Sequence, residues 1–135
     1  MSVSTAPAEQ RRAHYRLLTQ EVEALSCQIA LPDEVQEIDL IDLSEGGIGI
    51  LGYIPGLLLR PGVRYHGVRI ELPQAGVLLA DIEIRAVQDV QLRNGIRTVR
   101  SGAQFLALTV PAQQLIQRYI LQAERKRLAR LHPAD

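Results

Sequence analysis

The apolar residues of this chain keep one spacing from Leu25 to about Thr109 and another from Pro111 onward. The first spacing is two residues, the mark of strands with one buried face; the second is close to 3.6, the mark of a helix. "LSCQIAL" (25–31) alternates, "PDE" (32–34) turns, and "VQEIDLIDL" (35–43) continues as a second strand. "SEGG" reverses the chain into "IGILGY" (48–53), and "RPG" (60–62) turns it into "YHGVRIELP" (65–73). "GVLLADIEIRAVQDV" (76–90) is long for one strand and is expected to bend or bulge, as barrel strands do. Asn94-Gly95 marks a hairpin into "TVRSGAQFLALT" (98–109). From Pro111 to Leu131 a stripe of Leu115, Ile116, Tyr119, Ile120, Ala123, Leu128 and Leu131 predicts a helix, with Thr109 as its cap and the basic "ERKRLAR" (124–130) near its C-terminal end. About six short strands followed by one helix predict a mainly β fold: a small six-stranded antiparallel barrel that the C-terminal α-helix plugs or flanks.

The 135 residues suit one domain with a single core. Residues 1–9, small, polar and Pro-containing, read as a flexible N-terminal arm; residues 10–131 read as the domain, with the barrel at about 22–109 and the helix at about 110–131. Fifteen basic and fifteen acidic side chains leave no net charge, which argues against coating nucleic acid through bulk charge, so any anion site must be assembled locally. There is neither an apolar run of membrane-spanning length nor the hydrophobic stretch of a signal peptide. Cys27 is the only cysteine and lies in an alternating stretch, so it reads as a buried, inert thiol, and a reducing cytoplasm suits the chain. Three histidines and one cysteine are too few for a plausible zinc site, and no nucleophile–base set or phosphate-binding Gly loop points to catalysis.

Two short stretches carry the chemistry. In "QRRAHYR" (10–16), Arg12 and Arg16 stand four apart with Arg11 adjacent. A guanidinium offers a planar fork of donors that matches a phosphate or the O6/N7 edge of guanine, and it can stack on a base. Alone, such a stretch is also what a solvated basic arm looks like. In "DLSEGG" (42–47), Asp42 and Ser44 lie two apart at a strand end and are expected to leave the same face. A carboxylate there can accept from guanine N1–H and its exocyclic amine, with the serine hydroxyl beside it, while Gly46 and Gly47 permit the reversal and a close ligand approach. The same residues could instead bond only their own turn. Glu45 reads as a solvated turn residue. Arg85 and Arg100 could line the same surface, although each also reads as an ordinary exposed strand residue. His14 and Tyr15 read as spacers, and His66 as a strand-surface residue.

Taken together, Arg12-x-x-x-Arg16 and Asp42-x-Ser44-x-x-Gly47 resemble the motifs of the PilZ domain family, whose members bind cyclic di-GMP. "SGAQFLAL" (101–108) is similar to that family's late glycine-and-Phe strand, and "QQLIQRYILQAERKR" (113–127) to the terminal helix of its flagellar-brake members. The resemblance implies a six-stranded barrel with the arginine arm wrapped over one surface, and a ligand held between that arm and the 42–47 turn. It implies that Arg12 and Arg16 contact guanine edges and phosphates, that Asp42 and Ser44 read guanine, and that Gly47 shapes the turn; Arg11 is added as a third cation on physical grounds. Flagellar-brake proteins carry a second β-domain ahead of this one, and residues 1–9 are too short to replace it, so the chain reads as a stand-alone receiver.

The resulting expectation is a non-enzymatic, cytoplasmic cyclic di-GMP receptor without cofactor or metal. Ligand would order its arm, as one molecule or two stacked ones, and the signal would pass to a protein partner. A small nucleic-acid-binding barrel with a basic arm is the alternative, but five Phe and Tyr, no Trp and zero net charge supply little for base stacking. A ligand-free interaction module would need neither motif.

Overall fold

The computed structural model describes residues 16–131. The 1–9 arm, Arg11, Arg12, His14 and Tyr15 lie outside the described residues. In chain order the elements are β1 (Leu17–Leu18), a 3₁₀ turn (Thr19–Glu21), β2 (Leu25–Ala30), β3 (Val35–Leu43), β4 (Gly47–Leu51), β5 (Arg64–Leu72), β6 (Gly76–Gln91), β7 (Arg97–Leu106) and helix α1 (Val110–Leu131). Six strands close a ring in the order β3-β2-β5-β6-β7-β4, with β4 returning to β3, and every pairing is antiparallel. Closure leaves these six strands without a free edge. The two-residue β1, which the alternation does not reveal, lies on β3 just past the end of β2, with Leu17 opposite Leu43 and Leu18 opposite Asp42.

The alternation of β3 contains a slip that decides where Asp42 points. Ile38 and Leu40 are buried in the core, and strict period two would send residue 42 there as well. The apolar residue stands at 43 instead. A bulge absorbs the slip: Leu40 faces Ile50 while Asp42 faces Gly49, so two steps on β3 match one on β4. Leu43 thereby enters the core and Asp42 turns to the outer wall. The anticipated bulge in β6 occurs too, between Ile84 and Ala86, so Arg85 is its extra residue.

The interior is a single cluster of strand residues including Cys27, Ile29, Ile50, Val68, Ile70, Ile82 and Ile84, onto which α1 packs Ile116, Tyr119 and Ala123. Burial pushes the Cys27 thiol up to about 12, so the sulfur stays protonated and inert. Thr109 caps α1 as expected, its Oγ1 accepting from the Ala112 amide at 3.2 Å. The apolar stripe is shorter than anticipated: Leu128 and Leu131 are exposed, because the helix runs on past the surface it covers.

Antiparallel order assigns every connection to one of two ends. The β1–β2 link, the Ser44–Gly46 turn, the β5–β6 turn and the exit of β7 share the end that α1 covers. The 31–34 turn, the 52–63 loop and the 92–96 hairpin share the other. Among the described residues no helix is long and apolar enough to cross a membrane.

Candidate functional site

Asp42 is the focus of the helix-covered end. Its carboxylate is only 7% exposed and meets two guanidinium groups, Arg16 Nε at 3.8 Å from Oδ1 and Arg100 Nη2 at 3.4 Å from Oδ2. Both separations exceed the 2.7–2.9 Å of a tight charge-assisted bond, so the carboxylate holds both cations loosely. The arginine side chains are 63% and 45% exposed, and among the described residues neither makes another ion pair or side-chain hydrogen bond. Each of these cationic side chains is thus partly open to solvent, beside a buried acid that is already shared. Such an arrangement suits an anion that also offers N–H groups to the carboxylate.

The backbone explains how residues so distant in sequence meet. Arg16 directly precedes β1, and the pairing of Leu18 with Asp42 carries it to the acid. Arg100 arrives through the pairing of β7 with β4, and a row of cross-strand partners (Asp42, Gly49, Gly102, Ala86) crosses the outer wall from β3 to β6. Gly49 is a residue of this cluster that the sequence reading overlooked. A Cβ there would overlap the Asp42 carboxylate oxygen Oδ2, so only glycine leaves the acid its present position. The signal was a glycine set between two β-branched residues, "IGI" (48–50).

Ser44 and the glycines build the turn. The Ser44 amide donates to the Gly47 carbonyl at 2.9 Å, and Ser44 Oγ accepts from the Gly46 and Gly47 amides at 3.2 Å each. The Phe105 amide of β7 fastens the Gly46 carbonyl at 2.9 Å. At Gly47 a Cβ would overlap the Ala103 carbonyl oxygen, which is backbone and cannot swing away. Ser44 Oγ is thus bonded within its own turn, whereas among the described residues the Asp42 carboxylate meets side chains from outside it.

The remaining assignments divide. Arg100, which also read as an ordinary strand residue, is an Asp42 partner. Arg85 is not brought to Asp42; it donates to Gln104 Oε1 at 2.8 Å and pairs with Glu83 at 3.5 Å, because the bulge turns it toward its own β6–β7 neighbours. Glu45 is not simply solvated, since it accepts from Gln117 Nε2 of α1 at 2.9 Å. His66 is an exposed strand residue, its Nδ1 3.3 Å from Asp81, and the Gly67 amide and this imidazole hold the Asp81 carboxyl below its ordinary range. Arg11 and Arg12 lie outside the described residues.

A closed six-stranded antiparallel barrel with a terminal helix, bearing a shared Asp–Arg cluster beside an Asp-x-Ser-x-x-Gly turn, defines a class of small β-barrel domain. The profile of the PilZ domain family matches residues 10–122, and the chain belongs to that family, which is non-enzymatic. It is 32% identical over 126 residues to the flagellar brake protein YcgR of Azoarcus sp. (strain BH72), an alignment covering 90% of this chain and 49% of that one. It is 35% identical over 126 residues to YcgR of Nitrosomonas eutropha (strain DSM 101675 / C91 / Nm57), covering 87% and 47%. The chain therefore spans about half the length of the curated relatives it matches. Among solved structures, the PilZ domain with c-di-GMP of YcgR from Escherichia coli superimposes with a TM-score of 0.75 at 25% identity, covering 93% of this chain and 100% of that one.

Proposed function

We propose that this chain is a cyclic di-GMP receptor, acting in the cytoplasm and passing the signal to a protein partner in motility, pili or exopolysaccharide control. The observation that carries the reading is the nearly buried Asp42 carboxylate loosely shared by two half-exposed arginines on the outer barrel wall. A guanine edge supplies what that acid lacks, two N–H donors, and the ligand's phosphates supply what the arginines lack. On binding, Asp42 exchanges guanidinium for N1–H and the exocyclic amine, and Arg16 and Arg100 turn to the phosphates or the O6/N7 edge. Arg12 and Arg11 join from the N-terminal side, and the ligand's charge orders that arm over the barrel. The similarity to a solved domain described as holding c-di-GMP supports the same ligand here. Gly46 and Gly47 keep the turn low enough for its approach.

Two ligands stacked through their guanines would bring added phosphates, and Arg11 is the cation proposed to serve the second. Calorimetry at ligand well above the dissociation constant is then expected to give two per chain, falling toward one in Arg11→Ala. The receptor reading itself is tested by titrating cyclic di-GMP against single-stranded DNA in a salt series. Tight, saturable binding of the dinucleotide with weak, strongly salt-dependent DNA binding is expected; the reverse ranking would favour a nucleic-acid barrel.

A further inference from the structure

Helix α1 is bonded to both halves of the frame that brings Arg16 to Asp42. On the turn side, Gln117 Nε2 donates to Glu45 Oε1 at 2.9 Å, within the reversal that carries Ser44 and Gly47. On the arm side, Tyr119 Oη donates to Glu23 Oε2 at 2.6 Å. Farther along, Arg130 donates to the carbonyls of Glu21 at 3.4 Å and Val22 at 2.8 Å. These arm-side partners lie in the short connection that runs from Arg16 through β1 to β2.

That connection is internally stiff. Thr19 is buried and its Oγ1 donates to the Leu40 carbonyl at 2.6 Å, next to the β3 bulge, while the Val22 and Glu23 amides both return to the Thr19 carbonyl at 3.0 and 2.9 Å. A shift of Glu23 would therefore be transmitted to Thr19 and β1, and with β1 moves Arg16. The polar bonds are not what seats the helix, because Ile116, Ala123 and the Tyr119 ring already bury an apolar face on the barrel. Their partners are instead the two chain segments that flank the anion site.

We propose that Gln117, Tyr119 and Arg130 are positioning residues for the ligand: by tying the 42–47 turn and the 16–23 segment to one helix, they set the Arg16–Asp42 spacing. Helix docking and ligand binding are then reciprocally coupled, and the helix is the element through which occupancy is reported. The proposal rests on the cyclic di-GMP reading for its ligand but not for its internal linkage.

The test pairs amide hydrogen exchange with titration. Tyr119→Phe removes one bond and keeps the packed ring, whereas Glu23→Gln keeps an acceptor for the tyrosine hydroxyl. In the free protein, Tyr119→Phe and Arg130→Ala are expected to speed exchange severalfold in peptides covering residues 17–23. Both should weaken cyclic di-GMP binding about three- to tenfold at a nearly unchanged melting temperature, the scale of one net hydrogen bond. Glu23→Gln and Arg130→Lys, which keep an acceptor and a donor, should leave both readouts near wild type. Wild-type exchange over 17–23, or wild-type affinity, in Tyr119→Phe and Arg130→Ala overturns the coupling. No binding by the unaltered protein overturns the nucleotide reading instead, and exchange over 17–23 then decides the linkage alone.

Discussion

The two ends of the barrel are built from the same kind of chain and held in different ways. At the helix-covered end the polar groups reach across the sequence: Arg16 and Arg100 to Asp42, Glu45 to Gln117, Glu23 to Tyr119, and the Gly46 carbonyl to Phe105. At the opposite end each turn carries a bond within itself, and the 52–63 loop is also tied by backbone to β7 and β6, Gly52 to Val99 at 2.9 Å and Gly62 to Ile84 at 2.7 Å. The Leu31 amide bonds the Glu34 carbonyl, Leu92 bonds Ile96, and Leu57 bonds Ile54. That end also leaves Val35, Tyr53, Leu58 and Ile96 exposed. The long-range side-chain ties of the helix-covered end join the segments that flank the proposed ligand site. Burial and the neighbouring Glu23 carboxylate together push the Tyr119 phenol well above its ordinary range, so its hydroxyl stays a donor to that acid.

Substitutions that separate the two ends should fall in a clear order. Gly47→Ala is the most severe, because its methyl meets backbone at Ala103. We expect a loss of about 3 kcal/mol, the upper range for overpacking, read as a lowered denaturation midpoint. Gly49→Ala meets only a side-chain carboxylate, so the barrel should survive and Asp42 should move. Cyclic di-GMP affinity should then fall about ten- to a hundredfold with little change in melting, the scale of losing a charge-assisted contact. A Gly49→Ala protein with wild-type affinity would show that the position of the carboxylate is not critical.

Smaller effects sharpen the contrast. Ser101, between Arg100 and Gly102 on β7, is buried, and its hydroxyl has no hydrogen-bond partner among the described residues. Ser101→Ala should stabilise the protein by about 1 kcal/mol, the low end of an unmet polar group, measured by chemical denaturation. Tyr53→Ser at the far end should change stability by no more than about 0.5 kcal/mol and leave ligand affinity untouched. A loss of binding in that variant would extend the site to the wrong end of the barrel.

How much of this was legible in the sequence follows from the range of each interaction. Strand β3 was read with its observed limits, and the Thr109 cap and the Asn94-Gly95 hairpin from their local chemistry. Strand β1 was not legible, since Leu17–Leu18 is too short to show a period and exists only because β3 runs past the end of β2. The motif residues Arg16 and Asp42 could be read, and Arg100 was offered with Arg85 as lining the same surface, but the pairing of Arg100 with Asp42 and the place of Gly49 could not be read, because both depend on cross-strand register. The slip from Leu40 to Leu43 was not read, because only pairing with β4 shows the broken alternation to be a bulge. Glu45 misled for the same reason: its partner is 72 residues away on α1.

The account turns on Asp42 meeting the hydrogen-bonding edge of guanine. The most direct measurement is a calorimetric comparison of cyclic di-GMP with cyclic di-AMP, in the wild type and in Asp42→Ala. Adenine N1 is an acceptor and would face the carboxylate, so the wild type should bind the guanine ligand at least about tenfold more tightly. Asp42→Ala should weaken cyclic di-GMP binding and narrow that preference. Equal affinity for the two ligands in the wild type, or an undiminished preference in Asp42→Ala, would contradict it.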